Sequence, residues 1–375
     1  MRKSYYQQLF IVALKNTLNF LGLRPVRNVV FFAPVEFHLQ HLMPVVKELQ
    51  RDTSIKIFIV KTIDFSESNN IENVVVLERA EFEKMYWKIH DVVVTTELDF
   101  IPYWFGSGKR IGMFHGAGPK KGYLERMTGK EFDFIFSPGP FIHNLELTIL
   151  NRLKKTKTKV VPVGLPSVDL LVSSSNDRLG EKSRNKPTVL YAPSWHWDPK
   201  MISMDEEILK GLYLLEQVHV VIRPHPNLLN PSRNGNVDWV RIINKYKSLD
   251  FVLSRNEPIN DLLIQADIIV GDISSVMYEF LVLDKPGILY VKEEVLEESI
   301  YSEAIKPLIE AYEHIDHAGE LKNTLLAAFS ETDIRQEHRQ ILKESTFYNI
   351  GSASSVAAKE ISRIANNDCE WREGN

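Results

Sequence analysis

The chain has 375 residues, 44% of them hydrophobic and 25% charged, with a formal net charge of -4 at pH 7. This fits two globular domains of ordinary size and gives no basic excess to neutralise a phosphate backbone, so no nucleic-acid partner is expected. The one cysteine, Cys369, excludes an intramolecular disulfide and a multi-cysteine zinc site, and fits a reducing, cytoplasmic compartment.

Met1-Arg2-Lys3 precedes an apolar stretch, Leu9 to Leu14, that begins like a signal peptide, but Lys15, Asn16 and Asn19 interrupt it and no cleavage site follows. Nothing here reaches the roughly 18 apolar residues of a membrane span. At helical spacing Phe10, Ala13, Leu14, Thr17, Leu18 and Leu21 share one face, with Arg2, Lys3, Arg24 and Arg27 at the ends. Residues 1–27 therefore read as an amphipathic basic helix, which either lies on an anionic membrane surface or packs on its own domain.

From Asn28 the chain alternates strands and helices. Strands are expected at 29–33, 55–60, 74–77, 92–95, 110–114, 133–137 and 159–163, with helices at 38–50 and around 80–88. That order implies a largely parallel, doubly wound sheet in an N-terminal domain of residues 28–165. After the strand at Ile111 come His115, Gly116, Gly118, Lys120 and Lys121, at the sheet edge where open α/β folds bind ligands. Imidazole takes a proton near neutral pH and could activate a hydroxyl, while the lysines could neutralise phosphate. A His-Gly pair in a loop is equally consistent with a plain turn. The basic run Arg152 to Lys159 reads as solvated surface.

Gly164 to Asp169 begins the crossing to the second half, and the polar stretch Ser173 to Lys186 reads as a loop, with the boundary within 164–187 and a second domain over 166–375. The pattern restarts with a strand at 188–192, then Pro193-Ser194-Trp195-His196. Another strand, 218–222, ends in Arg223-Pro224-His225-Pro226, where two prolines stiffen a loop carrying a guanidinium and an imidazole. After a strand at 251–253 and a helix at 258–266 comes a βαβ unit over 266–291. In it the strand at 268–270 gives way to Gly271, Asp272, Ser274 and Ser275, and a buried helix follows. Its first turn could bind a diphosphate, or Asp272 or Ser274 could simply cap the helix. The remainder reads as helical at 295–300, 317–329, 333–342 and, after Gly351-Ser352-Ala353-Ser354, at 355–364, where the serines give a cap-like start.

Together these motifs resemble the CDP-glycerol glycerophosphotransferases of teichoic-acid and capsule synthesis. The resemblance is carried by His115-Gly116 with Lys120-Lys121, Tyr191-Ala-Pro-Ser-Trp195, Arg223-Pro-His225-Pro226, Asp272-Ile-Ser274-Ser275-Val276 with Glu279-Phe-Leu and Asp284-Lys-Pro286, and Gly351-Ser-Ala-Ser354. It spans residues 110 to 360, departing from the family pattern at Ala117-Gly118-Pro119 after His-Gly and at His196 after Trp195. The resemblance implies a GT-B-like α/β fold: two doubly wound parallel-sheet domains facing a central cleft, with an N-terminal amphipathic helix and a helical C-terminal tail. It implies transfer of glycerol phosphate, or a related alditol phosphate, from CDP-glycerol or CDP-ribitol to a hydroxyl of a lipid-linked or polymeric glycan, releasing CMP. It makes His115 and His225 the catalytic pair and places substrate at Gly116, Lys120, Lys121, Ser194, Trp195, Arg223, Asp272, Ser274, Ser275 and Glu279. No cofactor beyond the CDP-alditol substrate is implied, and no His/Asp/Glu cluster shows metal-ligand spacing. The implied location is cytoplasmic, peripheral on the inner face of the membrane. Two other readings stay open on sequence: a GT-B glycosyltransferase or epimerase using a nucleotide-diphosphate sugar, and a membrane-associated binding protein without turnover.

Overall fold

The computed structural model describes residues 26–33, 36–61, 74–78, 81, 91–96, 108–118, 125, 132–155, 157–177, 186–196, 202–246, 248, 250–254, 257–296, 299–330 and 333–366. The expected N-terminal helix up to residue 25, the helix at 80–88 apart from Glu81, and Lys120 and Lys121 lie outside the described residues. The chain divides into two units, Met1–His115 with Gly122–Asp169 and Phe347–Asn375, and Gly116–Lys121 with Leu170–Thr346.

In the first unit, β1 (Arg27–Ala33), β2 (Ile55–Lys61), β3 (Val74–Glu78), β4 (Val92–Thr95), β5 (Lys109–Met113), β6 (Phe134–Ser137) and β7 (Lys159–Pro162) form a parallel sheet in the order β3-β2-β1-β4-β5-β6-β7. Its strands are rich in Val, Ile and Phe because both faces are covered. Val29 and Phe31 join one cluster and Val30 and Phe32 another, the period of two that a strand imposes. Over the first face the Glu36–Leu49 helix packs Leu42, Val45, Val46 and Leu49 beside Ala357, Ile361 and Ile364 of the Ala353–Ala365 helix.

In the second unit, β8 (Thr188–Ala192), β9 (His219–Ile222), β10 (Phe251–Leu253), β11 (Ile268–Gly271), β12 (Gly287–Tyr290) and β13 (Glu313–Ile315) form a parallel sheet in the order β10-β9-β8-β11-β12-β13. In both sheets the order reverses beside the first strand of the unit, between β1 and β4 and between β8 and β11. These are the switch points outside whose carboxyl ends open α/β sheets hold ligands.

Three expectations need correction. Residues 173–177 are helix, not loop, because the Pro166–Asp177 helix is anchored by buried Val168 and Leu171 and runs on through the serines. The stretch after Val291 is not wholly helical: β13 pairs with β12, Tyr290 opposite Ile315, although Glu313 and His314 give it no strand-like pattern. The last helix is not capped by its own serines. Its N-cap, Ser352, makes no side-chain cap bond, and the Asp169 carboxylate accepts from the backbone N–H of Ala353 at 3.1 Å and of Ser354 at 2.7 Å.

That capping belongs to a close crossing of two segments within the first unit. Tyr348 donates its N–H to the Pro138 carbonyl at 2.7 Å, and Asn349 Nδ2 donates to the Val163 carbonyl at 3.0 Å. Gly164, at φ 103°, sits where a Cβ would collide with the Tyr348 carbonyl oxygen, so this position requires glycine. Asp169→Ala leaves two helix-end donors without their acceptor. It is expected to cost about 1 kcal/mol of stability, read as a lower denaturation midpoint; an unchanged midpoint would remove Asp169 from this role.

Candidate active site

In the first unit the ends of three adjacent strands, in the order β1, β4 and β5, bring together residues distant in sequence. The helix after β1 presents His38 and His41 on successive turns, both 7% exposed; Thr96 follows β4; His115 follows β5. The His115 ring stacks on His38 at 5.2 Å between centroids with 20° between planes, and lies 6.2 Å from His41 at 55°. His115 Nδ1 is 3.3 Å from the Thr96 carbonyl oxygen. A carbonyl can only accept, so in the neutral ring the proton sits on Nδ1 and Nε2 carries the lone pair, the tautomer of a general base. Burial, with the nearby His115 and His38, pushes His41 down to about 3. His41 is therefore neutral at physiological pH.

In the second unit the switch point is closed by one carboxylate. Asp272, 5% exposed, follows β11, whose Gly271 lies opposite Ala192 of β8. Its Oδ2 accepts from the Ser194 N–H and the Ser194 hydroxyl, both at 2.8 Å, and from the Ser203 hydroxyl. The carboxylate thus ties the loop after β8 to the loop after β11. Ser274 stands at the N-cap of the next helix, its carbonyl accepting from the Met277 N–H at 3.2 Å. Ser274 Oγ is buried yet makes no hydrogen bond among the described residues, and the Ser275–Phe280 helix has no side-chain cap. A buried hydroxyl without a partner is costly, and a polar ligand would satisfy it.

Gly116 packs on the same serines. A Cβ there would meet Ser275 Cβ at 2.8 Å and its Oγ at 3.0 Å, so only a bare backbone fits. Glu279, 4% exposed on the same helix, lies with Oε1 4.0 Å from that Cβ position, and burial pushes its carboxyl up to about 8. Beside Asp272 opens a small pocket of about 50 Å³, lined among others by Ser194, His196, Ser203, Tyr290 and Lys292.

His225 follows β9, the neighbour of β8, and is exposed. Its N–H donates to the Pro193 carbonyl at 3.0 Å, which fixes the loop, and its Nδ1 accepts from the Asn227 N–H at 3.2 Å. Here the lone pair is on Nδ1, so neutral His225 carries its proton on Nε2 and can donate, the opposite tautomer to His115. The Trp195 ring stacks on it at 6.1 Å and 23°, held by its own Nε1 bond to the Arg233 carbonyl at 2.7 Å. Half-buried Arg223 donates its N–H to the Tyr191 carbonyl at 2.8 Å, and burial lowers its guanidinium from the ordinary value against the opposing pull of Glu257.

Of the residues named from sequence, the second unit therefore brings together Gly116, Ser275 and Glu279 in one cluster and Ser194 with Asp272 in another. Trp195 and His225 form a third, and His115 lies with the first unit. Sequence reasoning missed His38, His41, Thr96 and Ser203. The signal for the two histidines was present: they stand three apart at the start of the helix after the first strand, hence at the carboxyl edge.

Glu279 is protonated in the folded protein where an unfolded carboxyl, at 4.5, is not. Its contribution to stability is complete below 4.5 and is lost as pH rises through about 8. The melting temperature of Glu279→Gln, measured between about pH 5 and 9, is expected to fall less toward alkaline pH than that of the unaltered protein. Parallel curves would contradict this assignment.

Comparison with known proteins places these features in a family. The family model described as CDP-glycerol:poly(glycerophosphate) glycerophosphotransferase matches residues 49–344. The chain is 27% identical over 181 residues to a teichoic acid glycerol-phosphate transferase of Staphylococcus aureus, 44% of this chain and 43% of that protein. It is 27% identical over 203 residues to a teichoic acid glycerol-phosphate primase of Bacillus subtilis, 48% of this chain and 50% of that one. It thus spans about half the length of the curated relatives it matches. Among solved structures, the wall teichoic acid polymerase TagF superposes with a TM-score of 0.64 at 17% identity over 99% of both chains. The S. aureus MnaA–UDP structure gives 0.62 at 14%, over 91% of this chain and 97% of that one. At such identities the likeness is one of fold, the GT-B-like pair of parallel-sheet α/β domains expected from the sequence. With the family model covering well over half of its length, the chain belongs to the CDP-glycerol:poly(glycerophosphate) glycerophosphotransferase family.

Proposed function

We propose that this protein transfers glycerol phosphate, or a related alditol phosphate, from a CDP-alditol to a hydroxyl of a lipid-linked or polymeric glycan and releases CMP. The acceptor oxygen attacks the phosphorus that bears the alditol, the bond from that phosphorus to the bridging oxygen breaks, and CMP leaves with the bridging oxygen. His115 Nε2 takes the hydroxyl proton. His225 Nε2–H, the Arg223 guanidinium and the Ser274 and Ser275 hydroxyls stabilise charge on the diphosphate. The switch point at Asp272 takes the donor, and Lys120 and Lys121 bind its phosphates through their charge.

The observation that carries this reading is the pair of opposite tautomers: His115 held by the Thr96 carbonyl as an acceptor, His225 held by the Asn227 N–H as a donor. Phosphoryl transfer to a hydroxyl needs one of each. Support also comes from family membership and from TagF, for which a structure was obtained with CDPG. Relatives described as ribitol-phosphate polymerases make CDP-ribitol a second donor to test. Among the described residues no helix is long and apolar enough to cross a membrane. We assign contact with an anionic membrane surface, on the cytoplasmic side, to the amphipathic sequence of residues 1–27, acceptor binding to residues 28–165, and donor binding to residues 166–375, whose last helix, Ala353–Ala365, crosses back to the first unit.

Purified protein is incubated with a detergent-solubilised lipid-linked acceptor and, separately, CDP-glycerol, CDP-ribitol or a panel of UDP-sugars, and released nucleotides are identified by mass spectrometry. CMP from a CDP-alditol is the expected product; release of UDP alone would make the protein a glycosyltransferase. His115→Ala and His225→Ala are each expected to lower turnover at least about a hundredfold with the fold retained, as loss of one such group costs about 2.7 to 4 kcal/mol. Near-normal turnover in either variant removes that residue from the mechanism.

A further inference from the structure

The bond that sets the His115 tautomer is long. At 3.3 Å, Nδ1 to the Thr96 carbonyl is longer and weaker than a usual N–H···O bond. The tautomer it selects is also the less stable one for a histidine in water, so a contact that keeps the ring in the plane of this bond helps to retain it. The His38 ring lies nearly parallel to it, 5.2 Å away and inclined by 20°. His38 is itself held: it is 7% exposed on a helix whose Leu39 and Leu42 are buried in the core of the first unit.

We propose that His38 is a positioning residue, a stacked platform that holds the His115 ring in the plane its hydrogen bond to the Thr96 carbonyl requires. The inference rests on the reading of His115 as the base. Stacking serves both protonation states. Neutral His115 gains an aromatic neighbour that fixes its orientation, and the imidazolium formed by proton uptake lies over the π face of His38, within the ~6 Å at which a ring attracts a cation. His41, 6.2 Å away and kept uncharged by burial, completes the wall without repelling that charge. His38 needs no contact with substrate for this role.

The test is the ¹⁵N–¹H spectrum of the imidazole nitrogens of the full-length protein without substrate, recorded for the unaltered chain, His38→Leu and His38→Phe, alongside kcat and KM for CMP release. The unaltered chain is expected to show His115 protonated on Nδ1. His38→Leu, which removes the ring, should move His115 toward the Nε2–H form and lower kcat at least about tenfold with KM within about twofold, as expected for lost orientation. His38→Phe, which restores a stacked ring, should recover the tautomer and most of kcat, a rescue that a purely structural role for His38 would not produce in the spectrum. An unchanged His115 tautomer and kcat in His38→Leu overturns the proposal. If His38→Leu does not fold, His38→Gln takes its place in the same comparison. Should His115→Ala keep its turnover, the base assignment fails, while the tautomer comparison, made without substrate, still decides whether His38 positions the ring.

Discussion

A carboxylate taken almost wholly out of water is tolerated only if donors surround it, and in the second unit Asp272 is such a group. Its donors, the backbone and hydroxyl of Ser194 and the hydroxyl of Ser203, come from the chain after β8, while Asp272 follows β11. The bond therefore closes the switch point where the strand order reverses. Much of the candidate site hangs from this closure. The loop after β8 carries Trp195 beneath His225, and its Pro193 carbonyl receives the His225 N–H; the loop after β11 carries Ser274 and Ser275. Removing the carboxylate would release both loops together, whereas removing either serine would strand part of a buried charge.

The same economy explains why motifs that read alike in sequence divide into chemistry and scaffolding. Asp284, in the left-handed region at φ 50°, accepts from Arg339 Nε at 3.3 Å, and Arg339 is fully buried with a second partner in Asp333. Lys285 Nζ donates to the carbonyls of Ile264 and Ala266 at 2.8 and 2.6 Å. Gly351 to Ser354 enters the final helix under the Asp169 cap. These groups hold the ends of strands and helices in place. By contrast Ser274 Oγ is buried with no hydrogen bond among the described residues. Asp272 belongs to both kinds, since it lines the pocket and anchors it.

The histidines show how a single residue type is given two jobs. An imidazole has no preferred role until a neighbour chooses which nitrogen keeps the proton. A carbonyl makes that choice for His115 and an amide N–H for His225, and both neighbours are backbone groups whose positions follow from strand ends and turns. The proline on either side of His225 fixes its loop so that the Asn227 amide points back at the ring. For His115 the neighbour is Thr96, nineteen residues away and one strand over.

Strand positions in both sheets were legible in the amino-acid sequence to within a residue or two, because strands buried on both faces demand unbroken Val, Ile, Leu and Phe. So were the motifs at their carboxyl ends, because glycine, proline and serine interrupt those runs abruptly. The three-residue strand Glu313–Ile315 and the serine-rich end of the Pro166–Asp177 helix were not legible: their conformation comes from pairing with Gly287–Tyr290 and from the buried Val168 and Leu171, not from local preference. The sequence by itself determined which residue types stand at the sheet edges, and with them the family. Only the tertiary structure decided which of those residues meet. It took Asp272 from the helix cap to Ser194 and Ser203, left the Ser274 hydroxyl without a hydrogen bond among the described residues, and laid His38 against His115. The physical reason is that hydrogen bonds and ring stacking act over a few ångströms of space, and parallel crossovers bring strand ends dozens of residues apart within that reach.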